Sequence, residues 1–278
     1  MDIYLKELKQ NEQVALIKLH AIVRQGLHVP TTTLPDAALY RFLKANDLNV
    51  DKAADQVRES AAWRQAFDWK QVSYQSQDVI NVMFSAAKFG YYGEDSKGRP
   101  IRYLVPQKAQ VNEIFKTLGP HNIFHFQLGM LERLTNIVLE RCSQKYNRHV
   151  HQIITIVDVK ELEVSKILTS GDMISFIKNN GPEFQRHYPE LTYRAVIINA
   201  GPVFYTLWKV VSVFFKETTL KKIKICNENY LPELLEVISL DKIPQSYGGT
   251  SPYEIDNYPN FFDTELYQSF QEHRLTLK

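Results

Sequence analysis

The sequence predicts an α/β fold in which an all-helical module precedes a domain built on a mostly parallel sheet. Residues 1–70 show helical patterns and no strand pattern. From about residue 79, short apolar runs rich in β-branched residues alternate with helical segments. Strands that alternate with helices form parallel sheets covered by helices. We therefore predict a helical module over residues 1–75, a sheet domain over 76–250 and a C-terminal tail over 251–278.

The N-terminal module is predicted to consist of helices. An amphipathic pattern covers residues 5–19, and a loop with two prolines follows at 29–35. A second helix contains residues 38–43, and Asp36 or a preceding threonine is its candidate N-cap. Asp51 is the candidate cap of a longer third helix.

The sheet domain is predicted to contain strands separated by helices. The strand candidates are an apolar stretch at residues 79–89 and the runs 101–105, 153–158, 195–198 and 223–225, the first two joined by a turn at 91–100. Helices are predicted at residues 111–118, 122–142, from 162, 173–179, 203–215, 231–238 and 265–273. In the helix at 122–142 the side chains predicted to face inward are Phe126, Met130, Leu134, Ile137 and Val138.

The helix predicted at residues 203–215 is apolar on almost all sides. Its polar residues, Thr206, Lys209 and Ser212, form one narrow stripe. Such a helix must be buried or contact lipid. It is roughly 20 Å long, and the hydrocarbon core of a bilayer is about 30 Å thick, so it cannot span a membrane. The large apolar residues opposite the stripe are Phe204, Trp208, Val211 and Phe215.

From the residues alone, two interpretations of this helix remain open. It is either a core helix packed against the sheet or a movable lid over an apolar cavity. Four lysines follow it closely and favour the lid, because lipid surfaces are anionic and lysines beside exposed aromatic residues attach peripheral proteins to them. These lysines are Lys216, Lys221, Lys222 and Lys224.

The composition argues against several classes of protein. The net charge is +2, and the chain has no arginine-rich tract and no cysteines at zinc-binding spacing, which argues against a nucleic-acid binder. Two widely separated cysteines are typical of a reducing compartment. The N-terminus lacks a signal-peptide pattern, and no run of about 18 apolar residues occurs. We expect a cytoplasmic protein whose membrane contact is peripheral.

The sequence offers no convincing catalytic nucleophile. Cys142 and Arg148 have the spacing found in cysteine phosphatases, but the cysteine lies near the end of a predicted helix and no glycine separates the two residues. Asp158 ends a strand, yet the chain contains no P-loop motif to hold phosphates and no nucleophile-elbow motif. We therefore predict that the protein is not an enzyme.

Metal binding is also not predicted. His121 and His125 lie four residues apart and would share a helix face, and His149 and His151 would share one face of a strand. Each pair lacks the third ligand that a zinc site requires. We expect no metal and no cofactor.

Four motifs, in order, resemble those of a known family. They are LYRFLKA at residues 39–45 with Trp63 and Arg64, DSKGRPI at 95–101, HYPE at 187–190 followed by IINA at 197–200, and IPQSYGG at 243–249. Together they cover roughly residues 35–250 and resemble the CRAL-TRIO lipid-binding and transfer family, which includes phosphatidylinositol and tocopherol transfer proteins. This resemblance implies a CRAL-TRIO domain with a sheet floor, in which the helix at 203–215 is a mobile gate.

The resemblance also implies residues that bind a lipid headgroup. Glu190 and Lys222 match the glutamate and the lysine that hold the inositol headgroup in members that bind phosphatidylinositol. Thr155 matches a hydroxyl that contacts phospholipid headgroups. One motif departs from the family, because Asn46 and Asp47 stand where those members carry a basic pair, so half of the headgroup site is altered.

A cavity wall and a membrane-docking surface are implied as well. The residues expected at the cavity or on its gate are Tyr103, Ile153, Phe176, Ile177, Phe184, Ile197, Phe204, Trp208, Val211 and Phe215. The lysines expected to dock on a membrane are Lys216, Lys221 and Lys224.

The expected function is that of a non-enzymatic lipid carrier. It would hold one hydrophobic ligand, such as phosphatidylinositol or phosphatidylcholine, and exchange it at membranes, including surfaces that contain phosphoinositides. We expect a monomer that binds no nucleic acid. Two alternatives remain open: a carrier of tocopherol, a retinoid, a carotenoid or a sterol, or a lipid-sensing regulatory scaffold without net transfer.

Overall fold

The N-terminal helices have a hydrophobic core of their own. The structure is a computed structural model that describes residues 6–26, 35–67, 76–107 and 110–255. The N-terminal helices are α1 Gln10–Gly26, α2 Asp36–Ala45 and α3 Val50–Gln65. Their apolar faces meet in one cluster, so the prediction of helices in this part of the chain is confirmed. The cluster includes Leu16, Leu19, Leu39, Phe42, Leu43 and Val57.

The caps of α2 and α3 differ from the predicted ones. Pro35 precedes α2 without a side-chain cap, and Asp36 lies in the first turn, where a carboxylate interacts favourably with the helix dipole. The side chain of Asn49 accepts a hydrogen bond from the Lys52 amide at 3.0 Å and caps α3. The prediction of Asp51 as a cap was therefore wrong by two residues.

A five-stranded sheet forms the centre of the second part of the chain. Its strands lie side by side in sequence order, β1 and β2 pair antiparallel, and every later pair is parallel. The prediction of a mostly parallel sheet is confirmed. The strands are β1 Ala87–Glu94, β2 Pro100–Pro106, β3 Ile153–Asp158, β4 Thr192–Ile198 and β5 Ile223–Ile225.

The apolar stretch at residues 79–89 is mostly helical rather than a strand. Helix α4, Gln77–Ala86, occupies most of it, and β1 begins only at Ala87. Ser76 starts the helix by accepting a hydrogen bond from the Val79 amide at 3.3 Å. The buried side chains are Val79, Ile80, Met83 and Ala86, which have helical spacing.

The long helix predicted after β2 is interrupted twice. Helix α5, Gln110–Arg133, is broken at Gly119, whose φ of 71° is not helical, in agreement with the two helices predicted there. A π-helical turn, Leu134–Val138, then leads into α6, Leu139–Tyr146. The π turn alters the helical register. Ile137, predicted to face inward, is exposed.

The remaining helices pack against both faces of the sheet. Helix α9, Pro202–Ser212, ends three residues earlier than predicted, so Phe215 lies in a turn rather than in the helix. The helix predicted at 265–273 lies outside the described residues. Within the described ranges, no helix has the length and apolar character needed to cross a bilayer. The helices are α7 Val164–Ser170, α8 Asp172–His187, α9 Pro202–Ser212, α10 Glu217–Leu220 and α11 Leu231–Leu235.

The two faces of the sheet pack against different parts of the chain. Alternate residues of a strand point to opposite faces. Ile154 and Ile156 pack against Leu234 and Ile243 from the C-terminal part. Val157 and Ile197, on the opposite face, pack against α7, α8 and α9. The functional pocket predicted from the sequence therefore has to lie on the α8 and α9 side.

Candidate functional site

A pocket of about 420 Å³ opens beside the C-terminal end of α8. Its walls come from α8, the turn that follows α8, the segment between α9 and β5, and the end of α2. Both charged and aromatic side chains line it, so it has a polar end and an apolar end. The residues around it include Lys44, Asp47, Leu131, Phe176, Ile177, Phe184, Gln185, Tyr188, Glu190, Phe215, Lys216, Thr219 and Lys222.

An ion pair marks the polar end of this pocket. The Lys222 ammonium lies 2.7 Å from the Glu190 carboxylate, and each side chain is 23% exposed. Glu190 precedes β4 and Lys222 precedes β5, and these strands are parallel neighbours, so both residues lie at the same edge of the sheet. The carboxylate can accept hydrogen bonds from hydroxyl groups, and the ammonium can bind a phosphate. The structure therefore brings together the two residues that the family resemblance selected.

Aromatic and aliphatic side chains form the apolar end. Phe176, Ile177 and Phe184 project from one face of α8, as their spacing of seven to eight residues along the helix requires. Phe215 contributes from the turn after α9, and its ring is stacked on Trp208 with 6.1 Å between ring centroids. Four of the ten residues predicted for the cavity or gate therefore line this pocket.

Five further predicted residues lie on the same side of the sheet but deeper in the packed protein. Phe204, Trp208, Val211 and Ile197 belong to the cluster beneath α9, and Ile153 packs near Tyr188 and Leu191. Thr155 is buried, and its hydroxyl accepts a hydrogen bond from the Arg102 guanidinium at 3.3 Å. Neither Thr155 nor these five residues borders the 420 Å³ pocket.

Tyr103 lies on the opposite face of the sheet, so its assignment to the cavity wall was wrong. The register pairs Tyr103 with Ile156 and Arg102 with Thr155. Tyr103 consequently packs into the C-terminal cluster, where its ring stacks on Tyr247 at 5.8 Å. The side chains of β2 alternate between the two faces of the sheet, and Tyr103 lies on the face opposite to the predicted one.

Helix α9 carries apolar residues on both its inner and outer faces. Phe204, Leu207 and Val211 are buried against the sheet and α7. Val203, Tyr205, Val210 and Val213 are exposed. The helix is therefore both a core element and an apolar surface.

The lysines predicted to dock on membranes differ in their surroundings. Lys216 borders the pocket. Lys221 pairs with Glu217 at 2.7 Å, and Lys224 pairs with Glu233 at 2.9 Å, so a carboxylate offsets the charge of each.

Some pocket residues were not predicted. Lys44 reaches the pocket from the end of α2. Asp47 also borders the pocket, as its place in the family's headgroup site implied, and has a left-handed φ of 51°. Gln185 accepts a hydrogen bond from the Lys216 amide at 2.8 Å and donates one to the Phe214 carbonyl at 3.0 Å, which ties α8 to the chain after α9. Gln185 follows Ile177 by eight residues, so helical spacing alone would have placed it on the pocket face of α8.

The described residues suggest no metal site and no activated thiol. No group of three or more histidine, cysteine, aspartate or glutamate residues in the described ranges is arranged to hold a metal ion. Burial raises the pKa of the Cys142 thiol to about 12, and nearby Glu94 acts in the same direction. The thiol is consequently protonated at neutral pH, whereas a nucleophile must be a thiolate.

Comparison with protein families identifies the domain that contains most of this pocket. Residues 84–249 match the family model of the CRAL/TRIO domain, which is more than half of the chain. The chain belongs to the CRAL/TRIO domain family. Lys44 and Asp47 lie outside the matched residues, so the helical module contributes part of the pocket wall of this CRAL/TRIO protein.

Individual relatives and a solved structure agree with the family. A phosphatidylinositol/phosphatidylcholine transfer protein of Arabidopsis thaliana, SFH7, is 26% identical over 217 residues, which are 76% of this chain and 38% of the relative. The Sec14 cytosolic factor of Schizosaccharomyces pombe is 26% identical over 223 residues, 79% of this chain and 76% of the relative. The crystal structure of Sfh5 superposes with a TM-score of 0.65 at 16% identity and covers 98% of this chain and 100% of that one, a likeness of fold.

Proposed function

We propose that this CRAL/TRIO protein carries one phospholipid between membranes, as a monomer and without a cofactor or catalysis. The headgroup would lie at the Glu190–Lys222 end of the pocket, and the acyl chains would extend past Phe184 and Phe215 towards the space beneath α9. The observation that carries the proposal is the pocket itself, which combines an ion pair with an aromatic wall. The name of the relative SFH7, a phosphatidylinositol/phosphatidylcholine transfer protein, points to the same ligand class.

The polar end suits a headgroup with a phosphate and hydroxyl groups, such as phosphatidylinositol. Lys222 would bind the phosphate, while Glu190 would accept hydrogen bonds from inositol hydroxyls. Lys216 adds positive charge to the wall and Asp47 adds one negative charge, whereas the Lys44 ammonium lies 3.4 Å from the Glu12 carboxylate, which offsets its charge. The wall therefore contains partners for both parts of the headgroup.

The acyl chains require α9 to move. In this structure the space between α9 and the sheet is filled by Phe204, Leu207 and Val211. A helix that shifts outward would make room there, and its exposed valines would then contact lipid. Removing acyl surface from water stabilises the complex by about 25 cal/mol per Å². The ligand would therefore stay bound in water and leave only where a membrane offers its acyl chains another apolar environment.

Mass spectrometry of lipid extracted from the purified protein, combined with vesicle transfer, tests this function. We expect one phospholipid per chain and transfer of fluorescent phosphatidylinositol or phosphatidylcholine between vesicles. Stoichiometric tocopherol, retinoid, carotenoid or sterol would mean that the protein carries that class of ligand instead of a phospholipid. Binding without transfer would favour the lipid-sensing scaffold, and a protein that takes up no added lipid would contradict the proposal.

Replacing Lys222 with methionine is expected to lower the affinity for phosphatidylinositol at least about tenfold, because a hydrogen bond to a charged group contributes roughly 1.5–3 kcal/mol. Methionine keeps the unbranched shape of the side chain, one atom shorter, but cannot bind a phosphate, and it leaves Glu190 without its ion-pair partner. Lys221→Met is the matched control, because Lys221 pairs with Glu217 on the surface. Equal losses in both variants, measured by competition between labelled lipids, would exclude a specific role for Lys222.

A further inference from the structure

Helix α3 of the helical module contacts the chain segment that leads into Glu190. The Gln56 side-chain amide donates a hydrogen bond to the Arg186 carbonyl at 2.8 Å. The Ser60 hydroxyl lies 2.8 Å from Nδ1 of His187, and the Trp63 ring is stacked on the His187 ring with 4.0 Å between centroids. Residues 56, 60 and 63 share one face of α3 because they are spaced by four and three.

The Ser60–His187 contact has a defined direction. Nε2 of His187 lies 3.3 Å from the Glu183 carboxylate, which can only accept, so Nε2 carries the proton and Nδ1 accepts the hydrogen bond of the Ser60 hydroxyl. Burial lowers the pKa of His187 to about 4, and the Arg64 guanidinium acts in the same direction, so the imidazole is neutral at pH 7. Ser60 is 0% exposed and His187 is 3% exposed, so no solvent competes for this bond.

Tyr188, the residue after His187, is also held in place by α3. The Tyr188 hydroxyl donates a hydrogen bond to Glu132, and that carboxylate also binds the Arg64 guanidinium of α3 at 2.9 Å. Burial raises the pKa of Tyr188 well above its usual value, with Glu132 as the second cause, so the hydroxyl remains a donor. Residues 186, 187 and 188 are therefore all attached to α3, directly or through Glu132.

Glu190 follows this anchored segment by two residues. Its φ of 54° is in the left-handed region, which a residue other than glycine keeps only when its surroundings enforce it. The Gln152 side-chain amide donates a hydrogen bond to the Glu190 carbonyl at 3.1 Å, and the Glu190 carboxylate forms the ion pair with Lys222. We infer that α3 positions Glu190, so that the helical module sets the headgroup selectivity of the pocket in the CRAL/TRIO domain. This inference rests on the proposed phospholipid function.

The first test is Ser60→Ala in the full chain. We expect its affinity for phosphatidylinositol to fall about fivefold, the effect of one lost hydrogen bond, and its affinity for phosphatidylcholine to stay unchanged. Ser143→Ala is the matched control, because Ser143 is also buried and bonds the backbone of Leu139 and Val150, away from the pocket. Trp63→Leu should act like Ser60→Ala, and Trp63→Phe, which retains a stacked ring, should recover most of the affinity.

A double variant separates positioning from general stabilisation. In the Glu190→Gln background, Ser60→Ala should cause no further loss of phosphatidylinositol affinity, because Ser60 acts on the headgroup through Glu190. An additive loss, or an equal loss for both lipids, would overturn the inference.

A measurement without lipid keeps this inference separate from the proposed function. In NMR spectra of the lipid-free protein, Ser60→Ala should shift the amide resonances of Glu190 and Leu191, and Ser143→Ala should leave them in place. Unchanged resonances in Ser60→Ala would overturn the positioning role. A wild-type protein that binds neither lipid would contradict the proposed function, and the amide shifts would still decide whether α3 positions Glu190.

Discussion

Replacing Val213 with aspartate is expected to lower lipid transfer between vesicles about tenfold or more, because an exposed valine that enters a bilayer contributes roughly 1.5 kcal/mol and a charge there is unfavourable. Val213 is 73% exposed at the end of α9, next to the exposed Val210. A substitution at such a position removes no packing contact in the folded protein, so lipid binding in solution should remain as in the wild type.

Val14→Asp is the matched control for this experiment. Val14 is 45% exposed and lies on α1, in the helical module rather than on α9. Transfer of a fluorescent phospholipid and sedimentation with anionic vesicles should both decrease for Val213→Asp and remain unchanged for Val14→Asp. If Val213→Asp transfers lipid at the wild-type rate, the outer face of α9 is not the membrane-contacting surface.

The strands were predictable from the sequence because burial on both faces selects β-branched residues. The predicted runs 101–105, 153–158, 195–198 and 223–225 agree with β2 to β5 to within three residues. The stretch at residues 79–89 was harder, because its apolar residues satisfy both a short strand and a helix of ten residues. Only the capping bond of Ser76 and the tertiary packing of Met83 decide between them.

The side on which a residue lies was less predictable than its element. Tyr103 was placed in the cavity together with Ile153, although the register of β2 against β3 sends them to opposite faces. The register depends on contacts between distant segments, which a pattern within one strand does not contain. The length of α9 was overestimated for a similar reason, since apolar residues continue through Phe215 after the helix has ended.

The pocket could be predicted only in part. The family motifs selected Glu190 and Lys222, and the structure places their charged groups 2.7 Å apart. The resemblance also put Asp47 at a headgroup position, and Asp47 borders the pocket, whereas Lys44 was not predicted there, because α2 and the α8 turn are separated by more than a hundred residues. Contacts between such distant segments depend on how the helical module packs, which neither periodicity nor spacing encodes.

Gly249→Ala is expected to lower the free energy of unfolding by about 3 kcal/mol or more, the range reached by strong overpacking in a core. A Cβ at residue 249 would lie 2.0 Å from the Ile243 carbonyl oxygen and 2.4 Å from the Ile243 Cβ. Neither the backbone at residue 249 nor Ile243 can move away. Ile243 is fully buried in the cluster beneath the sheet, and its carbonyl accepts a hydrogen bond from the Ser251 amide at 3.0 Å. The Gly249 amide donates a hydrogen bond to the Pro244 carbonyl at 3.0 Å.

Gly201→Ala is the control for this substitution. A Cβ at residue 201 meets nothing within 4 Å, and the loss of a glycine N-cap of α9 is partly offset by the lower entropy of the unfolded chain, so urea denaturation should give a free energy of unfolding within about 1 kcal/mol of that of the wild type. A wild-type denaturation curve for Gly249→Ala would mean that the closing segment is not packed as tightly as the contact with Ile243 requires. The expected contrast follows from the close approach of two backbone segments at residue 249, where a glycine is required even though its φ is not left-handed. The glycine that ends the IPQSYGG motif is thus explained by packing.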